Sequence, residues 1–220
     1  MAIKLYSNYL NSAGERVRIA LALKAIDYEY ISVSQLGWDT YRQINPQGLM
    51  PAIVVAGQII AQSTAILEYL EETYPTPPLL PANPVVRAQT RALAQHITSE
   101  MHAIDVIRVR RFLSNELGVD QAGIDRWQRH WFLVGFDAVE ETLRRRREPL
   151  PCCFSEEPGW AELHLVPQVH KGIARFSIDM TPFPLIQGIY DHCVVHPAFV
   201  SATPERQPDY PGALIEPKLK

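Results

Sequence analysis

Cysteine is scarce in this sequence of 220 residues, and its placement excludes two kinds of protein. The cysteines are Cys152, Cys153 and Cys193, of which two are adjacent and the third is distant. Such a set forms neither the disulfide framework of a small secreted protein nor the ligand spacing of a zinc site. We therefore expect a reduced protein of the cytoplasm that holds no metal ion.

Long apolar runs and an excess of basic residues are also absent. No segment approaches the roughly 18 uninterrupted apolar residues of a membrane helix, and the N-terminus lacks the basic start and apolar run of a signal peptide. Lysine and arginine number 21 against 24 acidic residues, so a chain-wide basic field for nucleic acid is lacking. The four arginines at 144–147 fit the exposed end of a helix. We expect neither a membrane nor a nucleic acid as partner.

The N-terminal third of the chain mixes strand and helix patterns. The strand-like runs are residues 3–8, 28–33, 52–56 and 58–61, and the last two flank Gly57 as a tight hairpin would. Helical periodicity covers residues 13–24 and about 63–73. The predicted order is β-α-β-(α)-β-β-α, a small α/β sandwich.

A group of prolines between residues 75 and 84 indicates a domain boundary. Beyond it the periodicity is helical and no strand pattern is convincing. The predicted helices cover about 85–116, 121–147, 159–176 and 183–195. We therefore predict an α/β domain over 1–80, a proline-rich linker over 75–84 and an all-helical domain over 85–210.

The turn after the first strand has no Cys-x-x-Cys, which excludes disulfide chemistry there. Ser12 is followed three residues later by Glu15, and this pattern predicts a capping box at the start of a helix. In the alternative interpretation, the serine hydroxyl and the amides of the helix end stabilise an anion such as a thiolate. The local pattern by itself favours the cap.

A second helix begins close to a strand that a proline introduces. Ser63 is again predicted to be an N-cap, and Pro51 precedes the strand that starts at Ala52. Two helix N-termini with a proline-led strand between them indicate a site for an anionic peptide.

Five segments together resemble the zeta class of glutathione transferases, which are maleylacetoacetate and maleylpyruvate isomerases. They are LYSNYLNSAGERVRIALALKAIDYEY, INPQGLMPAIV, AQSTAILEYLEETYPTPPLLP, LHLVPQV and RFSIDMTPFPLI, and the resemblance continues to about Pro208. It implies the cytosolic glutathione transferase fold, which is a thioredoxin-like N-terminal domain plus an all-α C-terminal domain that lines the substrate pocket. It also implies a homodimer.

The resemblance implies a role for nine residues. Pro51 would be a cis-proline, the main chain of Met50 would bind the cysteinyl part of glutathione, and Gln62 and Ser63 would hold the γ-glutamyl carboxylate. The remaining implied residues are Ser12 and Asn11 at the thiol, His102 near glutathione, and Arg108 and Arg175 at the substrate. Arg108 and Arg175 also fit a solvated helix face and a helix-end cation, and His102 also fits a structural histidine.

This sequence departs from the family pattern at the thiol. Where the family has an arginine, a serine and a cysteine, it has Leu10, Asn11 and Ala13, so that Ser12 is the residue retained. The side-chain amide of Asn11 can donate to a thiolate, but more weakly than a hydroxyl. A further departure replaces the family's Ser/Thr-x-x-Asp cap by Gly159 and Glu162, which still suit a helix start.

His192 and His196 have the spacing of a zinc pair on one helix face. No acidic general base lies between them and Pro197 ends the helix, so we predict no metal site.

The predicted function is a glutathione-dependent cis–trans isomerase of a small unsaturated oxo-acid. One alternative is a glutathione transferase or dehalogenase that acts on another electrophile, and a second is a glutathione-binding protein without isomerase activity.

Overall fold

The computed structural model describes residues 2–213, and the chain divides into two compact units. Of the described residues, one unit contains 2–79 together with 194–213, and the other runs from Leu80 to Cys193. The predicted limits of 1–80 and 85–210 assign the segment after Val194 to the helical domain instead. As limits of independently folding domains, with 75–84 as linker, those boundaries stay a prediction.

The first unit is an α/β sandwich in the predicted order. Its elements are β1 (Ile3–Ser7), α1 (Ser12–Leu23), β2 (Tyr28–Ser32), α2 (Val33–Leu36), α3 (Trp38–Ile44), β3 (Ala52–Val55), β4 (Gln58–Ala61) and α4 (Ser63–Thr73). The late segment adds α11 (Pro197–Ala202), which packs on α1, and a short 3₁₀ turn, Pro204–Arg206.

The sheet of this unit has the strand order β2-β1-β3-β4. Strand β1 pairs in parallel with β2 and antiparallel with β3, and β3 pairs antiparallel with β4. Leu5 and Ile53, which face each other across the β1–β3 pair, are fully buried, as is Leu21 of α1. Helices α1 and α4 also pack on each other, so the start of each helix has a fixed place relative to the sheet.

The second unit is helical. Its elements are α5 (Pro84–His96), a π-helical segment (Ile97–His102), α6 (Ala103–Asp105), α7 (Ile107–Asn115), α8 (Gln121–Arg144), α9 (Trp160–Phe176) and α10 (Pro184–Val194). The predicted architecture is confirmed, and no helix of the described residues is long and apolar enough to cross a membrane.

The prediction of one helix over 85–116 is wrong. The π-helical segment interrupts it, and Val106 then has an extended backbone with φ −66° and ψ 155°. This break follows Asp105, a fully buried residue that accepts hydrogen bonds from Gln128 Nε2 and Lys171 Nζ. Because a buried carboxylate needs such partners, its contacts compensate for the helical hydrogen bonds that are lost.

The arginines at 144–147 do not all lie on the exposed end of a helix, although the sequence predicted that they would. Arg144 and Arg145 both pair with Glu141 on the surface of α8, as an exposed helix end would. Arg146 instead donates to the carbonyls of Cys152 and Cys153 at 2.7 Å and 3.1 Å. It therefore fixes the loop that leads to α9.

Helix α9 begins as the Gly159 and Glu162 pattern predicts. Glu162 is buried, and its two carboxylate oxygens accept from the N–H groups of Gly159 at 2.8 Å and of Cys153 at 2.7 Å. Glycine has no side chain to complete a capping box, so the glutamate alone supplies this cap.

His192 and His196 do not lie on one helix, although their spacing predicts a shared helix face. His192 belongs to α10, which ends at Val194, whereas His196 is the N-cap of α11 and accepts from the N–H of Ala198 through Nδ1. Within residues 2–213 no three His, Cys, Asp or Glu side chains are arranged to hold a metal ion.

Candidate active site

Asn11, and not Ser12, caps helix α1. Its Oδ1 accepts a hydrogen bond from the N–H of Gly14 at 2.6 Å, and Ser12 is already the first helical residue. The prediction of a Ser12–Glu15 capping box is therefore wrong, because asparagine is as good an N-cap as serine and stands one residue earlier. With Oδ1 turned to the helix, the amide NH₂ of Asn11 is on the opposite side of the same planar group.

Gly14 lets helix α1 approach the end of strand β1. A Cβ atom at this position would lie 2.1 Å from Oγ of Ser7, a fully buried residue. Only glycine fits so close an approach, and it fixes where the helix begins. The turn that carries Asn11 and Ser12 follows from that contact.

Ser63 is the first residue of α4 and not its N-cap, which corrects a second capping prediction. The preceding residue is Gln62, whose φ of 73° and ψ of 120° turn the chain sharply into the helix without a side-chain cap. A non-glycine residue held at positive φ costs about 1–3 kcal/mol and is characteristic of functional sites. The side chain of Gln62 donates to Oε1 of Gln47 at 2.7 Å.

A buried cation stands behind Ser63. Arg16 of α1 is fully buried, and its Nη1 donates to Oγ of Ser63 at 3.4 Å. Burial lowers the pKa of the Arg16 guanidinium to about 10, while the neighbouring Glu15 carboxylate acts in the opposite direction. The guanidinium thus adds positive charge beside the N-terminus of α4, where the helix dipole already favours an anion.

The peptide bond between Met50 and Pro51 is cis, as the family resemblance implies. Just before it, the carbonyl of Leu49 accepts from Tyr41 Oη at 2.7 Å and from Asn45 Nδ2 at 2.9 Å. Both donors are buried. These bonds hold the main chain that enters Met50 in one position.

The sheet register brings these segments together. Tyr6 lies opposite Ala52, and Ala52 lies opposite Ala61. The end of β1, the start of β3 and the end of β4 therefore meet at one edge of the sheet. The Asn11–Ser12 turn, Pro51 and Gln62 follow or precede these positions directly, so one edge holds two helix N-termini and a cis-proline.

The other three predicted site residues belong to the second unit. His102 ends the π-helical segment and is half-buried, Arg108 is exposed on α7, and Arg175 is half-buried in the last turn of α9. Insertions of this helix type occur often at functional sites. Cζ of Arg175 lies 5.4 Å from the centre of the Phe176 ring, a cation–π contact.

The sequence did not reveal a buried ion pair one helical turn before Arg175. Nζ of Lys171 pairs with Asp105, and the side chains are only 11% and 1% exposed. Burial lowers the pKa of Lys171, the Asp105 carboxylate opposes this, and the nearby Arg175 and Arg110 add to the lowering. The i to i+4 spacing of Lys171 and Arg175 is the one sequence signal that would have indicated this cationic region.

Arg16 was also missed as a site residue, although it lies in the RVRIAL segment that carries the resemblance. Arginine is rarely buried in full, so its position in an amphipathic helix predicts a surface residue. Nothing in the spacing of Arg16 indicates otherwise.

Known proteins share both the sequence and the fold. A family model described as the N-terminal domain of glutathione S-transferase matches residues 5–78. The maleylpyruvate isomerase of a Ralstonia species is 40% identical over 212 residues, which cover 94% of this chain and 99% of that protein.

Two solved structures are similar over nearly their whole length. A holo structure of a maleylpyruvate isomerase, a bacterial zeta-class glutathione S-transferase, has a TM-score of 0.89 at 40% identity and covers 94% of this chain and 99% of its own. A maleylacetoacetate isomerase from Methylobacterium extorquens AM1, with malonate and glutathione bound, has a TM-score of 0.87 at 36% identity, with the same two coverages.

The fold and the sheet-edge site define a glutathione transferase. Within that class the chain belongs to the zeta family, as its similarity to these relatives over 94% of its length shows.

Proposed function

We propose that the protein is a glutathione-dependent isomerase, which converts the cis double bond of a small unsaturated oxo-acid into its trans isomer during breakdown of aromatic compounds. The observation that carries this proposal is the sheet edge where the Asn11–Ser12 turn, Pro51 and Gln62 meet. Relatives named maleylpyruvate and maleylacetoacetate isomerase support the reaction type. A relative solved with bound glutathione supports the cofactor.

The residues of the first unit fit glutathione. Its γ-glutamyl carboxylate would lie at the N-terminus of α4, where Ser63 and Gln62 supply polar groups and Arg16 supplies positive charge. The main chain of Met50, held through the carbonyl of Leu49, would bind the cysteinyl part. In this arrangement the thiol of bound glutathione would lie at the start of α1.

When bound, glutathione would supply a thiolate for reversible addition to the cis double bond, and rotation about the resulting single bond followed by elimination of the thiolate would give the trans isomer. The protein's task is to keep the thiol ionised and the substrate oriented. The amides and dipole at the start of α1 lower the pKa of a nearby thiol. The Ser12 hydroxyl and the Asn11 amide donate hydrogen bonds to the sulfur in this proposal.

An oxo-acid substrate requires cations for its carboxylates and for the negative charge that develops on its carbonyl oxygen. We assign these roles to Arg108 and Arg175, with His102 near glutathione. Arg175 and Arg110 lie close enough to Lys171 to lower its pKa, and this group of cations supports an acidic substrate.

The losses at Leu10, Asn11 and Ala13 favour a second candidate function. They remove an arginine, a hydroxyl and a thiol from the substrate side of the turn and leave the α4 start unchanged. A transferase or dehalogenase that acts on another electrophile would keep glutathione and change the reaction. A glutathione-binding protein without isomerase activity is the third candidate.

A binding measurement tests the glutathione site first. Ser63→Ala should weaken retention on immobilised glutathione, because it removes a buried polar group at the α4 start. Thr73→Ala is the matched control, since it removes an exposed hydroxyl at the other end of the same helix. If the unsubstituted protein is not retained on immobilised glutathione, all three glutathione-dependent candidates are wrong.

An assay of reaction type then separates the candidates. Maleylacetoacetate and maleylpyruvate should be isomerised only when glutathione is present. Consumption of a halogenated electrophile with release of halide, and no isomerisation of either cis acid, would instead support the transferase or dehalogenase.

We further propose that the protein acts as a homodimer in the cytoplasm. The absence of a disulfide framework in the sequence supports the cytoplasm. The family assignment supports the dimer. Light scattering of the purified protein tests it, and a mass near the monomer value of 24.9 kDa would contradict the dimer.

A further inference from the structure

The main chain of Tyr9, two residues before the cap Asn11, is held from both sides. Its N–H donates to Oδ2 of Asp209 at 3.1 Å, and its carbonyl accepts from Nη2 of Arg18 at 3.4 Å. The carbonyl of Asn8 accepts from Nη1 of the same arginine at 3.3 Å. The segment that leads into the Asn11–Ser12 turn therefore lies between a cation from α1 and a carboxylate from the C-terminal segment.

The carboxylate of Asp209 is itself fixed by the sheet. Tyr30 Oη donates to its Oδ1 at 2.9 Å, and Ser32 Oγ donates to its Oδ2 at 2.9 Å. The ring of the next residue, Tyr210, meets the ring of Tyr9 edge-on, with the ring centres 5.7 Å apart. Three hydrogen-bond donors and a ring contact give this half-buried aspartate one position.

Arg18, which holds the carbonyls of Asn8 and Tyr9, is itself buried and fixed by a further hydrogen bond. It is 1% exposed, and its Nε donates to the carbonyl of Ala202 in α11 at 2.9 Å. Burial lowers the pKa of Arg18, and the nearby Asp209 carboxylate is among the groups that oppose this. Together with the Glu15 carboxylate, which has the larger effect, Asp209 supplies countercharge to the arginine that holds the carbonyls of Asn8 and Tyr9.

We propose that Asp209 is a positioning residue for the turn that activates the thiol. It holds the main chain of Tyr9, and through it the amides and side chains of Asn11 and Ser12, in the place where they meet the sulfur of glutathione. The inference rests on the proposed function. Residues 8–10 belong to no helix or strand, so their main chain lacks the regular hydrogen bonds of those elements. The carboxylate of Asp209 supplies one acceptor in their place.

The test compares Asp209→Asn with a control of similar structural cost. The substituted side chain would turn an NH₂ group toward one of the donors that Asp209 now accepts from, so the Tyr9 segment should shift. Because misplacement by about 1 Å is known to cost up to about 100-fold in rate, we expect kcat to fall about tenfold. The KM for glutathione should change less than about twofold, since the α4 start is unaffected.

The pKa of the glutathione thiol separates a positioning role from a purely structural one, because a loss of stability alone would not change it. In Asp209→Asn the pKa of bound glutathione, followed by the ultraviolet absorbance of the thiolate, should rise by about one unit. Tyr30→Phe removes one donor to Asp209 but keeps the Tyr9 bond, and should give a smaller rise. Glu71→Gln disrupts the ion pair with Lys24 at the far end of α1, and should lower stability without changing the thiol pKa.

Two results would overturn the inference in different ways. If Asp209→Asn binds glutathione with the thiol pKa of the unsubstituted protein, then Asp209 is structural only and the proposed function stands. If the unsubstituted protein binds no glutathione, the proposed function fails and this inference fails with it.

Discussion

At the scale of single residues, one hydrogen bond decides which side chain caps α1. Ser12 and Asn11 are adjacent, and both residue types are strong N-caps, so the sequence alone does not choose between them. The choice follows from the close approach of Gly14 to Ser7, which sets where the helix begins. The capping pattern at Ser63 misleads for a similar reason, because Gln62 enters α4 at positive φ.

The cap assignment predicts different effects for two neighbouring substitutions. Asn11→Ala should lower the free energy of unfolding by about 1 kcal/mol, because the N–H of Gly14 loses its acceptor. Ser12→Ala should lower it by less than Asn11→Ala does, because Ser12 is not the cap residue, yet raise the pKa of bound glutathione. Urea unfolding and thiolate absorbance measure the two quantities. Equal losses of stability would show that Ser12 shares the cap.

Gly14 offers a second prediction at this scale. Gly14→Ala should destabilise the protein by about 1–3 kcal/mol, because its Cβ would overlap Oγ of the buried Ser7. Gly188→Ala is the matched control, since a Cβ there meets nothing within 4 Å and alanine suits the helix interior better. Thermal unfolding of both variants decides the question, and equal behaviour would contradict the close approach.

At the scale of elements, the strands and most helices were predictable because hydrophobic periodicity reflects the buried face directly. The alternation in residues 28–33 corresponds to β2, the two runs that flank Gly57 correspond to β3 and β4, and the helical period in 63–73 corresponds to α4. The break near Val106 was not predictable. It depends on partners that Asp105 finds on α8 and α9, 23 and 66 residues away in sequence.

The ion pair of Asp105 and Lys171 gives the prediction for this scale. Lys171→Met should lower the free energy of unfolding by about 3–5 kcal/mol, because it leaves the carboxylate buried without its cation. Combined replacement, Asp105→Leu with Lys171→Met, should recover a large part of this loss. Chemical unfolding of the single and double variants measures the coupling. Additive losses would contradict a direct pair.

At the scale of the whole molecule, the fold and the local structure around the proposed glutathione residues follow from the sequence, while the surroundings of the proposed substrate residues do not. Met50, Pro51 and Gln62 flank strands of fixed register, so a segment match places them. Arg16, Arg18 and Asp209 act through burial and long-range contacts that no local pattern records. In the proposed site, Leu10 and Ala13 depart from the family pattern on the substrate side, and a departure in sequence names no substrate.

An isomerase of a cis oxo-acid returns glutathione unchanged after each turnover, whereas a conjugating transferase consumes it. The direct measurement is a proton NMR time course of maleylpyruvate with catalytic amounts of protein and glutathione. We expect the trans acid to accumulate, glutathione not to be consumed, and no conversion above background when glutathione is left out. Consumption of glutathione into a stable thioether, with no trans acid formed, would show a conjugating transferase and not an isomerase.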